Sequence, residues 1–150
     1  MNIKITIVLV SFLTVLSMLL YALFNPSYQI SWQAKYHYEM SEYDDAYLYA
    51  KEAFALDPYN RMAATVMAQS LISLKYVKYI QEAKEYMKEI NKIVDKKEIK
   101  NADKAKIRLM CQIMIKTYIK LAPSVVTDTE LVEEAAFYHA GFEQLLEKVN

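Results

Sequence analysis

Glycine is almost absent from this sequence. Gly141 is the only glycine among 150 residues, and there are three prolines. Folds built from β-strands need many tight turns, at which glycine and proline are the usual residues, so this scarcity argues against an all-β architecture and favours long helices. Methionine, leucine, lysine and glutamate are abundant, and all four are good helix formers. The composition therefore predicts an all-α protein.

Residue types that carry chemistry are also scarce. Cys111 is the only cysteine and cannot form an internal disulfide, and the two histidines, His37 and His139, have no second ligand at a metal-like spacing. Glu133-Glu134 and Asp44-Asp45 are adjacent pairs, whose side chains diverge by about 100° on a helix. A single glycine cannot form a phosphate-binding loop. We therefore expect no enzymatic activity, no metal site and no cofactor.

The formal net charge is zero, which argues against a nucleic-acid-binding protein because such proteins usually carry a basic excess. The charges are nevertheless banded. Residues 25–60 hold two bases and six acids, residues 75–120 hold 13 bases and 6 acids, and residues 121–150 hold one base and six acids. The simplest interpretation is solvated helix faces. The alternatives are that the basic band docks an acidic partner or lipid headgroups, or that the bands pair between copies in a homo-oligomer.

One long segment lacks charge altogether. Ile5 to Phe24 is an apolar run of 20 residues, and at about 1.5 Å per residue a helix of that length spans the ~30 Å hydrocarbon layer of a membrane. The alternative is a cleaved signal peptide, which needs a shorter run and small residues near the cleavage point, where this chain has Leu20. We predict a membrane anchor over residues 1–26. Its representative apolar residues are Ile5, Val8, Leu13, Leu16, Leu20 and Phe24.

The orientation of the anchor follows from the charges that flank it. Lys4 precedes the span, the first cation after it is Lys35, and acids outnumber bases as far as Asn60. Since positive charges favour the cytoplasmic side, the short tail is predicted to be cytoplasmic and the rest to lie outside. In a bacterium with two membranes, this describes a single-pass protein of the inner (cytoplasmic) membrane with a periplasmic helical domain.

The remainder of the chain divides into six amphipathic helical segments. They cover about residues 28–40, 41–56, 61–74, 77–94, 102–121 and 127–149. An offset of 37 residues aligns the second segment with the fourth and places Ala83 over Ala46, and a repeat of that period is typical of a helical solenoid. No glycine, proline or capping residue separates the third and fourth segments near Lys75 to Lys78. The alternative is therefore one long helix over residues 61–94.

Residues 27–60 carry the most specific pattern. The second segment begins with Tyr43-Asp44-Asp45-Ala46, continues with alanines at four- and three-residue spacing, and ends at Pro58. Residues 27–60 resemble a tetratricopeptide repeat, although Ser41 stands where that family has glycine and Ala50 where it has a larger residue. The resemblance implies two antiparallel helices with small residues at their crossing. The residues expected to form this packing are Ala34, Tyr43, Ala46, Ala50, Ala53, Pro58 and Ala83.

The resemblance implies a helical domain over 27–150 with about three helix pairs. Residues 27–60 would form a clear repeat, 61–94 a divergent repeat, and 102–149 a capping pair. Partners of this family bind along the first helix of each pair, which here implies a groove lined by Lys35, Tyr38, Thr65 and Gln69.

We therefore expect a membrane-anchored scaffold or adaptor for protein partners, such as an accessory component of a bacterial envelope machine, for example a flagellar motor or a secretion system. The alternative is a chaperone or quality-control factor that stabilises another membrane protein.

Overall fold

The computed structural model describes residues 3–125 and 127–149, so the first two residues of the predicted anchor and Asn150 lie outside the described part. The described residues form six α-helices and no strand, which confirms the all-α prediction. The helices are α1 (Ile3–Phe24), α2 (Pro26–Glu39), α3 (Tyr43–Leu56), α4 (Arg61–Val94), α5 (Asn101–Tyr118) and α6 (Thr129–Val149). They are grouped in two compact units, and the boundary between the units falls inside α4, after Ser70.

Helix α1 is long and apolar enough to cross a membrane. The six predicted anchor residues have exposed fractions between 39% and 77%. An apolar side chain left in water forgoes roughly 1.5–3 kcal/mol relative to burial, so a helix that is exposed and apolar on all sides needs a covering other than its own chain. A lipid bilayer supplies such a covering.

Only one residue, Asn25, separates α1 from α2. Its side-chain oxygen accepts a hydrogen bond from the backbone N–H of Ser27 at 2.9 Å, while its own N–H donates to the carbonyl of Tyr21. Pro26 occupies the first turn of α2, where its missing N–H is not needed. The Gln29 amide donates to the carbonyl of Leu23 at 2.7 Å, which satisfies an acceptor at the end of α1. The connection between α1 and α2 is therefore a hydrogen-bonded joint and not a linker.

Helices α2 and α3 pack as a hairpin, as the repeat pattern predicts. Ala34 of α2 and Ala46 and Ala50 of α3 have no exposed surface and form one cluster with Val66 of α4. Alanine at these positions lets two helix axes approach closely, and larger side chains would force them apart. This close approach explains why the buried stripe of α3 consists of the smallest apolar side chain, and we call the cluster the alanine seam.

The turn between α2 and α3 contains a left-handed residue. Ser41 has a φ of 62°, in the region that favours glycine. This is the position where the resembled family has glycine. A serine therefore stands in a backbone conformation that is strained for a residue with a side chain.

A buried polar network joins the beginning of α2 to the end of α3 and the start of α4. Asn60 is fully buried, and its amide nitrogen donates to the hydroxyl oxygens of Ser27 at 2.9 Å and Ser31 at 3.2 Å. The Ser27 hydroxyl donates to the carbonyl of Ala53 at 2.8 Å. The side-chain oxygen of Asn60 accepts from the N–H groups of Met62 and of the residue after it, and so caps α4. One side chain thus holds three helices in register.

Helix α4 is a single helix of 34 residues. The predicted split near Lys75 to Lys78 is therefore wrong, and the alternative of one long helix over residues 61–94 is the observed one. The reason is that the buried positions of α4 continue through this region at helical spacing, with Ser70, Ser73 and Tyr76 among them. Without a glycine, proline or cap, the helix has no reason to end there.

The second unit is built from the rest of α4 together with α5 and α6. Its core is a single cluster that includes Tyr79, Ile90, Met114 and Phe142, all with 2% exposure or less. Ala83, expected at the crossing of a second repeat, is fully buried in this core. The described residues therefore contain two helix pairs, α2/α3 and α5/α6, and one long helix between them in the chain, where three pairs were expected.

Candidate functional site

The four residues predicted to line a partner groove differ in their surroundings. Tyr38 is half-buried, packs against the alanine seam, and meets Tyr43 edge to face with ring centroids 5.5 Å apart. Lys35 is half-buried on α2, with its ammonium nitrogen 3.6 Å from a carboxylate oxygen of Glu39. Thr65 is exposed and Gln69 is half-buried, both on α4. Tyr38 thus contributes mainly to packing, whereas Lys35 and Thr65 reach the surface.

The packing residues predicted from the repeat are buried with one exception. Tyr43 is 6% exposed, and Ala53 is fully buried beside the Asn60 network. Pro58 is exposed in the turn after α3, so its contribution is to end the helix and not to fill the core.

An exposed apolar stripe follows the outer face of α2. Trp32, Tyr36 and Met40 recur at four-residue spacing, which places them on one side of the helix and its C-terminal cap, and their exposed fractions are 58%, 61% and 56%. We call these three residues the α2 stripe. The ammonium nitrogen of Lys35 lies 5.8 Å from the centre of the Trp32 ring, so one predicted groove residue borders the stripe. Sequence reasoning missed the stripe, because its four-residue period alone does not show which face of α2 is exposed.

The composition of the α2 stripe suits protein recognition. Aromatic residues and methionine are enriched at protein interfaces relative to the rest of the surface, and tryptophan and tyrosine dominate their energetic centres. The stripe lies on α2, the helix that directly follows α1 in the chain.

A second candidate group surrounds His37. The Nδ1 atom of His37 lies 2.6 Å from a carboxylate oxygen of Glu42, and an oxygen of Asp45 lies within 4.8 Å of both. The spacing in the sequence does not indicate this group, because it is the turn at Ser41 that brings the start of α3 back over α2. The ring also stacks on Tyr49, with centroids 5.0 Å apart. The contact between His37 and Glu42 links the end of α2 to the residue before α3, which accounts for this group without a bound ion. The carboxylates of Glu42 and Asp45 are both exposed to solvent.

The remaining chemistry-bearing residues have structural surroundings. Cys111 is fully buried in the core of the second unit, and burial raises the pKa of its thiol, which opposes the thiolate that a nucleophile would need. His139 stacks on Tyr118 with centroids 4.1 Å apart. Glu134 forms an ion pair with Lys84 at 2.8 Å, and the hydrogen bond from this pair raises the pKa of the lysine. Each of these three groups makes a contact that contributes to the packing of helices in the second unit.

Comparison of this chain with protein families, curated proteins and solved structures gave no match.

Proposed function

We propose that this protein is a single-pass, membrane-anchored scaffold whose first helix pair binds a protein partner beside the membrane. The observation that carries the proposal is the joint at Asn25. A helix suited to a bilayer runs into the first helix of a hairpin with one residue between them, and Gln29 and Asn25 hydrogen-bond across that joint. A partner bound to the hairpin would be held at a fixed position relative to the anchor.

The α2 stripe is the proposed partner surface. Three large apolar side chains at 56% to 61% exposure on one helix face cost solvation free energy in water, and a partner that covers them recovers it. Lys35 and Glu39 border the stripe and would provide a polar rim. The binding mode would be helix packing against an apolar groove of the partner.

The cellular setting that we propose is the inner membrane of a bacterium, with the helical domain in the periplasm. Lys4 before the span and the acidic excess after it support this orientation. An accessory subunit of a larger envelope machine, such as a flagellar motor or a secretion system, fits a chain with an anchor, a likeness to a protein-binding repeat and no evident catalytic group in its described residues.

The experiment that tests the function is purification of the C-terminally tagged chain from gently crosslinked membranes. A fixed, stoichiometric set of copurifying subunits would support the scaffold. A scatter of weak, substoichiometric clients would favour the alternative of a chaperone or quality-control factor, and recovery of this chain alone would favour a homo-oligomer.

Matched variants connect that result to the α2 stripe. We expect Trp32→Ala with Tyr36→Ala to reduce recovery of the partner at least tenfold, because hot-spot aromatics each contribute about 2 kcal/mol or more. The control is Leu48→Ala with Glu52→Ala, since both residues are exposed on α3, outside the stripe. Equal recovery from the two variants would contradict the assignment of the surface.

A further inference from the structure

A cleft of about 310 Å³ opens on the second unit between α4 and the end of α5. Lys75, Lys78 and Tyr79 line it from α4, and Lys120 lines it from the residues that follow α5. Its volume is at the lower end of the range for small-ligand pockets. The cleft shares no residue with the α2 stripe, so a ligand bound in the cleft is independent of the scaffold role.

The residues that line the cleft carry an excess of positive charge. Three ammonium groups face a single carboxylate, Glu82, which lies 4.0 Å from Lys78 and is partly committed to it. Lys75 and Lys120 are both exposed. A phosphate monoester carries a charge of about −1.5 to −2 near neutral pH, which matches the excess of two positive charges. Lysine is a common phosphate ligand because its ammonium group acts as a compact point charge.

Tyr79 lines the same cleft and carries a buried hydroxyl without a partner in the described part of the chain. Tyr79 is 1% exposed, and its hydroxyl makes no hydrogen bond within the described residues. A buried polar group left unpaired costs about 1–3 kcal/mol, so its persistence calls for an explanation. Burial and the neighbouring Tyr118 raise the pKa of this hydroxyl, so it keeps its proton and can donate throughout the neutral range. Thr117, which also lines the cleft, already donates its hydroxyl to the carbonyl of Ile113.

We propose that this cleft binds a phosphate group, with Lys75, Lys120 and Tyr79 as its donors. The phosphate group has two sources, the headgroup of an anionic lipid and a soluble phosphate. The two lysines supply charge at the mouth of the cleft, and the tyrosine supplies a neutral hydrogen bond from its wall.

The test is protection of lysines from acetylation, read by mass spectrometry on the full chain in phosphatidylcholine nanodiscs at pH 7.5. In the first arm, inorganic phosphate is titrated against chloride at equal ionic strength, because screening alone acts on every lysine alike. In the second arm, phosphatidic acid replaces part of the lipid and no phosphate is added. Lys88 and Lys104, which are exposed and do not line the cleft, are the internal reference.

We expect acetylation of Lys75 and Lys120 to fall at least fivefold relative to the reference lysines. Protection by inorganic phosphate would identify a soluble ligand, and protection by phosphatidic acid alone would identify a lipid headgroup. Tyr79→Phe keeps the ring contact with Tyr118 and should raise the half-protecting concentration about tenfold, because a hydrogen bond to a charged acceptor is the stronger kind. Protection that is absent in both arms, equal at all four lysines or unchanged in Tyr79→Phe would overturn the proposal.

A charge-matched pair of variants separates the cleft from general basicity. Lys75→Gln with Lys120→Gln should abolish binding of the phosphate group, which is read as loss of the ligand-induced rise in melting temperature. The ligand is the one that protects the lysines, inorganic phosphate or phosphatidic acid. Lys88→Gln with Lys104→Gln removes the same charge elsewhere and should leave that rise intact. The same loss in both variants would show non-specific attraction and contradict a site.

Discussion

At the scale of single residues, the turn between α2 and α3 holds a strained serine. A non-glycine residue in the left-handed region costs about 1–2 kcal/mol, and Ser41 is the residue in that region among those described. Ser41→Gly should therefore raise the free energy of unfolding by about 0.5–1 kcal/mol, after the greater flexibility of glycine in the unfolded chain is subtracted. Urea titration followed by circular dichroism measures this, with Ser41→Ala as the control expected to stay near wild type. A glycine variant less stable than the alanine variant would contradict the assigned turn.

Asn60 forms the centre of the buried polar network of the first unit. Its removal would uncap α4 and leave the hydroxyls of Ser27 and Ser31 short of a buried partner. We expect Asn60→Ala to lower the free energy of unfolding, measured by urea titration, by about 3 kcal/mol. This is the sum of a lost helix cap and a broken buried network. Asp57→Ala removes an exposed hydrogen bond to the Tyr59 N–H in the same turn and should cost less than about 1 kcal/mol. Similar losses of unfolding free energy in the two variants would show that the buried network contributes little to stability.

At the scale of helices, the alanine seam sets the distance between α2 and α3. Ala50→Leu would place three more carbon atoms in a fully packed crossing and should cost about 3 kcal/mol or more. Ala55→Leu is the matched control, because Ala55 is exposed on the same helix. If melting temperatures of the two variants agree within error, the seam is not a close contact.

The continuity of α4 has an equally direct test. A proline inside a helix costs about 3 kcal/mol, whereas a proline at a junction between two helices is tolerated. Lys75→Pro should therefore destabilise the chain by about 3 kcal/mol more than Lys75→Ala does, because Lys75 is exposed and only its backbone position matters to stability. Near-equal stability of the two variants would restore the hairpin over residues 61–94.

An element of the fold could be predicted where its pattern lies within one short segment of the sequence, and not where it depends on contacts between distant segments. The anchor and the α2/α3 hairpin follow from an uninterrupted apolar run and from alanine spacing, both legible in the sequence. The α2 stripe does not, because Tyr36 and Tyr38 are alike in sequence and lie about 200° apart around the helix. The contacts of Tyr38 with the alanine seam and with Tyr43 place it inside and leave Tyr36 outside. Asn60 stood at a recognisable cap position, but its serine partners lie about 30 residues away in the chain and carried no signal.

At the scale of the whole molecule, the chain divides its tasks among segments. Helix α1 is long and apolar enough to cross a membrane, the joint at Asn25 couples it to α2, and the α2 stripe is the proposed partner surface. The proposed orientation predicts that a periplasm-dependent phosphatase fused to the C-terminus is active, because Lys4 would keep the short tail in the cytoplasm. A cytoplasmic reporter fused at the same place is the control. Activity of the cytoplasmic reporter alone would reverse the topology.

The measurement that tests the central claim most directly is site-specific photocrosslinking in native membranes. A photoreactive side chain is placed at Tyr36, in the α2 stripe, and in a separate chain at Leu48, which is equally exposed on α3. The scaffold role predicts one dominant protein adduct from position 36 and little or none from position 48. Adducts with lipid alone, or the same scattered proteins from both positions, would contradict a scaffold that binds its partner through α2.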